Sequence, residues 1–200
     1  MTRSLAPILV CSLALACAAA HAQPLDTAGA IACAVSGWAK DPDPKGTNVR
    51  GAARADALII GHLAPMTRIT KDEITGVMFD IVGSKDGWLL IQNGSDGGLT
   101  FDKAHEADGR GWISARLVGT ALRMTEFRTA PRRDASLVAR LNGENWSWGP
   151  WSVEVLAVHG CSGNYVEVTA RPPGGRPLRG WSFKPCPLQL TTCGGPGGTE

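Results

Sequence analysis

The chain has 200 residues, of which 20 are basic and 18 acidic, with 44% hydrophobic residues, 25 glycines and 13 prolines. Charges of both signs are interspersed, which excludes the concentrated basic footprint of a nucleic-acid binder and a polybasic membrane-binding surface. The glycines and prolines suit turns, since each is unfavourable inside a helix.

In chain order, residues 1–22 come first. Arg3 precedes an apolar run (Ile8, Leu9, Val10, Leu13, Ala14, Leu15) that ends in Ala20-His21-Ala22, the small-x-small pattern read by signal peptidase. Residues 1–22 therefore read as a signal peptide, and the mature chain is expected to start at Gln23 in the periplasm or outside the cell. The run is shorter than the roughly 20 residues needed to cross a hydrocarbon core of about 30 Å, so no membrane anchor is expected. A lipoprotein leader ending at Cys17 is the alternative. It is disfavoured by Leu15, which puts bulk where small residues are wanted. Only Arg3 of the 20 basic residues lies in the leader, which leaves 19 against 18 acidic.

Loss of the leader also removes Cys11 and Cys17 and leaves Cys33, Cys161, Cys186 and Cys193. An even number of cysteines in an exported chain points to disulfides. Three pairings are open; the preferred one joins Cys186 to Cys193 and Cys33 to Cys161. A zinc site lacks the paired C-x-x-C spacing that structural sites use, and no metal or other cofactor is expected.

Residues 23–46 read as an N-terminal extended arm, in which Leu25 to Val35 could also form a short helix. Beyond it, short apolar runs (Leu58-Ile59-Ile60, Val77-Met78-Phe79, Trp88 to Ile91, Val153 to Val158, Tyr165 to Val168) are broken every few residues by Gly, Asn, Asp or Pro. That is the punctuation of strands and turns, and the fold is expected to be mostly β. Asp102 to Arg110 reads as a loop or a helical turn.

The chain also repeats itself. TNVRGAARADALIIGHL and TEFRTAPRRDASLVARL align Arg50 with Arg128, Ala52 with Ala130, Arg54 with Arg132, Asp56 with Asp134, Ala57 with Ala135 and Leu63 with Leu141 at one constant offset. Each copy continues into an alternating strand, a tight turn, an aromatic-led strand (Trp88 or Tyr165) and a Gly-Trp pair (Gly111-Trp112 or Gly180-Trp181). Units of about 70 residues with this patterning suit small barrels. The expected boundaries are 47–119 for the first, 120–193 for the second and 194–200 for a disordered tail.

Asn48-Val49-Arg50 with Ala52, Gly61-His62-Leu63, Gly87-Trp88-Leu89-Leu90 and Gly111-Trp112-Ile113-Ser114 with Leu117-Val118 resemble the bacterial SH3 domain, whose pattern is N-V-R-x-x-P, G-x-L, G-W-x-x-V and G-W-V. The second copy resembles it through Phe127 to Pro131, Leu137 to Leu141, Tyr165 to Val168 and Gly180-Trp181. Ala53 and Tyr165 depart from it, standing where the family has proline and tryptophan. The resemblance implies two tandem SH3-like barrels in an all-β chain. It also implies a targeting or ligand-binding module of an exported protein, often one that acts on cell-wall peptides.

No H-E-x-x-H, G-x-S-x-G or Walker loop occurs, and the repeats fill the chain, so an enzyme is not expected. His62 is expected in a turn, His105 in an exposed loop with Glu106 and Asp108, and His159 at a strand end. Arg128 with Arg132-Arg133 forms the one local basic cluster, read as solvated loop. The ligand-binding candidates are aromatic: Trp146, Trp148 and Trp151 in the insertion Asn145 to Trp151, with Trp88 and Tyr165 at strand starts. Trp88, Trp112, Tyr165 and Trp181 also read as packing residues, and the Trp-rich insertion as a lid or a seal between the units. The expected partner is a peptide or cell-wall ligand. The alternatives are an envelope protein partner, which makes the chain a scaffold, and a small cell-wall hydrolase.

Overall fold

A computed structural model of the chain describes residues 24–124, 126–141 and 153–189. The fold is all-β, with only two short 3-10 turns, Ser95–Gly97 and Ala115–Leu117, among the described residues. In chain order the strands are β1 (Ile31–Ala39), β2 (Thr47–Arg50), β3 (Ile59–Leu63), β4 (Thr67–Arg68), β5 (Ile74–Thr75), β6 (Met78–Lys85), β7 (Trp88–Gln92), β8 (Leu99–Phe101), β9 (Arg110–Ser114) and β10 (Val118–Gly119). They continue with β11 (Glu126–Arg128), β12 (Leu137–Arg140), β13 (Glu154–Ser162), β14 (Tyr165–Arg171) and β15 (Leu178–Phe183).

Strand pairing builds an eight-stranded sheet in the order β10-β1-β6-β7-β9-β2-β3-β8, a five-stranded sheet in the order β12-β11-β15-β14-β13, and the small hairpin β4-β5. Neither sheet closes into a barrel. The chain passes from the first sheet to the second between β10 and β11.

The expected N-terminal arm is corrected by β1. Residues 31–39 form the nine-residue strand between β10 and β6, with Cys33, Val35, Gly37 and Ala39 buried at alternate positions. That period of two is what lets a strand bury one face, and a free arm has no use for it. His62 is corrected as well: it lies within β3, not in a turn. Asp102 to Gly109 is a run of turns leading into β9, which begins at Arg110, and His105 within it is buried where an exposed loop residue was expected.

The two repeats share their hydrogen bonds as well as their residues. Arg50 donates from Nη1 to Ala57 O and Arg128 from Nη1 to Ala135 O, each at 2.7 Å. Arg54 N reaches Ala52 O and Arg132 N reaches Ala130 O, both at 2.8 Å. The ladder shifts register at the same place, between Val49 and Arg50 and between Phe127 and Arg128. Arg50 then faces Trp112 across the sheet as Arg128 faces Trp181. The arginine explains why these loops carry the same letters, since its guanidinium satisfies a carbonyl that the turn would otherwise leave unpaired.

The Gly-Trp pairs have a steric cause. A Cβ on Gly111 would lie 2.3 Å from Val49 Cγ1, and one on Gly180 would lie 2.9 Å from Arg128 O and 3.0 Å from Phe127 Cδ1. Val49 and Phe127 are equivalent core residues with no exposed surface.

A single apolar cluster runs through both sheets, from Val49, Leu89, Ile91 and Ile113 to Phe127, Val158, Val166 and Val168, with Cys33, Val35 and Ala39 of β1 among its members. The sheets are joined by main-chain bonds from Ala34 N to Gly163 O and from Gly163 N to Ala32 O, both 2.8 Å. Beside them Cys33 is bonded to Cys161 across a Cα separation of 5.8 Å, within the range a disulfide can bridge. This is the expected Cys33–Cys161 pair, and it fits an oxidising compartment outside the cytoplasm. Cys186 is also disulfide-bonded; Cys193 lies outside the described residues. Ala121 and Cys186 exchange main-chain bonds of 3.0 and 2.7 Å, and the Gln189 side chain bonds both N and O of Gly76 at 2.8 Å.

The Cys33–Cys161 link spans a sequence separation of 128. The double substitution Cys33→Ser/Cys161→Ser should therefore cost about 2–4 kcal/mol in urea unfolding of the oxidised protein, because the denatured chain regains a long loop. Gly111→Ala should cost about 1–3 kcal/mol in the same measurement, since a valine stem cannot swing aside as a long flexible side chain can.

Candidate functional site

β-strand alternation gives the five-stranded sheet a core face and an outer face. Phe127, Val166 and Val168 point to the core, and their neighbours Arg128, Tyr165 and Glu167 point outward. On the outer face the cross-strand pairs are Arg128 with Trp181, Glu167 with Trp181, and Tyr165 with Phe183. Directly opposed residues on one face have Cβ atoms about 4.5–5.5 Å apart, so these pairs form a continuous strip of rings and charges.

At one end of the strip Met124, Glu126, Arg128, Arg133, Tyr165 and Phe183 line a pocket of about 210 Å³. Tyr165 and Phe183 tilt against each other at 54° with ring centroids 5.0 Å apart. The Arg133 guanidinium sits 5.3 Å above the Phe183 ring and the Lys184 ammonium 6.0 Å from it, both within cation–π range. Arg128 bonds Glu126 as well as Ala135 O, and Arg140 approaches the other Glu126 oxygen at 3.9 Å. Arg128 is thus held on two sides, and Arg133 is a cation in the pocket lining, with Lys184 near the same ring. Apolar rings, a fixed ion pair and a rim guanidinium suit a ligand with an apolar body and an anionic or carbonyl group.

Further along, Arg179 grips Glu167 with two bonds of 3.0 Å. His159 hydrogen-bonds Thr169 Oγ1 at 2.8 Å. Partial burial, helped by the neighbouring Arg179 charge and opposed by Glu167, holds its imidazole below the usual histidine range.

Two other cavities lie at joints. One of about 260 Å³ lies among Thr75, Gly76, Met78, Ser95, Asp96, Leu188 and Gln189. The other, about 90 Å³, lies where Pro24 and Asp26 meet the loop from Gly51 to Ile60.

The sequence candidates fall in different places. Tyr165 lines the pocket and is 7% exposed. Trp88, its counterpart in the first copy, opens β7 opposite Ser114 and is half-buried. The structure therefore puts Tyr165 and Trp88 on separate sheets. Trp146, Trp148 and Trp151 lie outside the described residues. Met124, Glu126, Arg128, Arg133 and Phe183 were missing from the sequence reading of the site. Phe183 carried a usable signal, since it stands two residues beyond Trp181 on the same strand face, and Arg133 belonged to the noted basic cluster.

Among the described residues no group of three or more His, Cys, Asp or Glu could hold a metal, and no helix is long and apolar enough to cross a membrane. His62, His105 and His159 sit on three different elements.

The depressed His159 pKa sets a sign for pH dependence. The unfolded chain takes up the proton more readily, near the ordinary value of 6.5, so this contribution to stability is complete above that pH and is lost as pH falls below it. Urea midpoints measured from about pH 8 down to about pH 5 should fall less steeply in His159→Gln than in the parent. In comparisons with protein-family models, with curated proteins and with solved structures, nothing matches the chain.

Proposed function

We propose that this chain is an exported, non-catalytic binding protein made of two SH3-like units in tandem, and that it holds a peptide, with cell-wall peptide as the leading candidate. The carrying observation is the pocket of Tyr165, Phe183 and Met124 beside Glu126, Arg128 and Arg133. Short peptides with carboxylates and small apolar side chains complement such a mixture of ring surface and rim cation. The Cys33–Cys161 disulfide supports export, and the shared loop bonds of Arg50 and Arg128 support a duplicated unit. The fold by itself does not choose the ligand; the side chains of the site favour a peptide.

A second reading takes the partner to be another envelope protein. It draws on the β4-β5 hairpin, where Ile69 and Ile74 are 55% and 44% exposed and form an apolar spot suited to a protein surface.

Retention of the mature chain on purified, insoluble peptidoglycan separates the two. The parent protein should be retained, and Phe183→Ala should weaken retention roughly tenfold or more, as loss of a central aromatic anchor does. An unretained parent protein excludes wall binding and leaves the protein-partner reading.

A further inference from the structure

The two copies are matched in backbone but differ in what covers their outer faces. On the first sheet the segment 24–30 lies across that face. Asp26 N donates to Gly51 O at 2.8 Å, Trp112 Nε1 donates to Asp26 O at 2.8 Å, and Lys85 Nζ donates to Ala28 O at 2.7 Å. These contacts run from the loop after β2, over β9, to the β6-β7 turn. Beneath them Trp112 is 0% exposed and Leu90, its cross-strand partner, 3%. The main chain of 24–28 is thus a peptide ligand that the protein supplies to itself.

The corresponding positions exist on the second sheet. Thr129 stands where Gly51 does, Trp181 where Trp112 does, and Glu167 pairs with Trp181 as Leu90 pairs with Trp112. Trp181 is only half-buried, and among the described residues its indole N–H has no hydrogen-bond partner. A half-buried indole N–H is a donor that a ligand carbonyl can reach. Glu167, clamped by Arg179, replaces the covered leucine. That exchange puts a charged pair at the position where the first face has a covered leucine.

We infer that the Trp181 face takes an extended peptide in the way the Trp112 face takes residues 24–28. One peptide carbonyl accepts from Trp181 Nε1, a nearby peptide amide donates to Thr129 O, and an acidic side chain of the peptide meets Arg133 at the rim above Phe183. Main-chain hydrogen bonds supply the affinity and Arg133 the preference, a division common in peptide recognition. The inference rests on the binding reading given above and specifies how the peptide lies and which chemistry it carries.

The test uses the oxidised mature chain, residues 23–200, panned against a library of random seven-residue peptides. Enriched sequences should carry Asp or Glu, and their titration should shift the Trp181 indole N–H resonance. Trp181→Phe, which keeps the ring and removes the donor, should weaken binding roughly fivefold to tenfold. Arg133→Gln should weaken the acidic preference with the fold intact, the Lys184 ammonium near the same ring remaining. Peptides that perturb Tyr165 and Phe183 but leave the Trp181 indole unmoved overturn this inference and leave the binding reading standing. A library with no enriched sequence overturns it too, and the peptidoglycan experiment then judges the binding reading by itself. A concentration-dependent dimer whose formation shifts the Trp181 indole without added peptide also overturns it, because the face would then be covered by a second copy.

Discussion

The structure depends on one strand serving two sheets. β1 pairs with β6 along most of its length and with β10 at Trp38 and Ala39, while Ala32 and Ala34 bond Gly163 of the second sheet. The register of β1 shifts between Ala32 and Val35, where these bonds and the Cys33 disulfide leave it. A bulge of this kind re-aims backbone groups and side chains. Removing β1 would uncover part of the eight-stranded sheet and also remove the main-chain bonds and the disulfide that tie Cys161 and Gly163 of the β13-β14 hairpin to it. Two small units that share one strand and one core cannot swing freely, and the outer face of the second sheet is held at a fixed angle to the rest.

Within that frame the duplicated unit keeps its skeleton and varies its cover. Arg50 and Arg128 fix their loops identically, and Gly111 and Gly180 admit the same close approach. The edges differ. β3 is flanked by β8, and Gly61 makes room for it, since a Cβ there would lie 2.4 Å from Thr100 O. Its counterpart in β12 is Ala139, which already carries that Cβ, and β12 has no further strand beside it among the described residues. The faces differ in the same sense: residues 24–30 cover Trp112 and Leu90 of the first, whereas among the described residues Trp181 and Phe183 of the second are half-buried and Arg179 is exposed. One copy has become the more sealed half of the molecule and the other the more accessible half.

Much of this was legible from the residues in order. Alternating apolar runs cut by Gly and Pro identify an all-β chain, because a period of two with frequent turns leaves no helix face to bury. The step-by-step identity from Arg50 to Leu63 and from Arg128 to Leu141 identifies two copies of one turn, because the same arginine-to-carbonyl bond imposes the same letters. The cysteines point to disulfides through their even number. The site was harder to see. Tyr165 was visible as a strand-leading aromatic, but Arg128, Glu126, Met124 and Phe183 come from segments as much as 59 positions apart that meet only through the β11-β15 and β14-β15 pairings.

The sequence alone determined what local chemistry controls: strand and turn periodicity, the duplicated loop and the near-balance of charge. Tertiary structure decided what depends on contacts between distant segments. It made residues 31–39 a strand instead of an arm, laid residues 24–30 over one tryptophan face and not the other, and assembled a pocket from strands that are neighbours only in space. The physical reason is that hydrogen-bond partners for a strand edge or an indole N–H are chosen by which edges and faces remain uncovered once the core has closed, and no local run of letters carries that information.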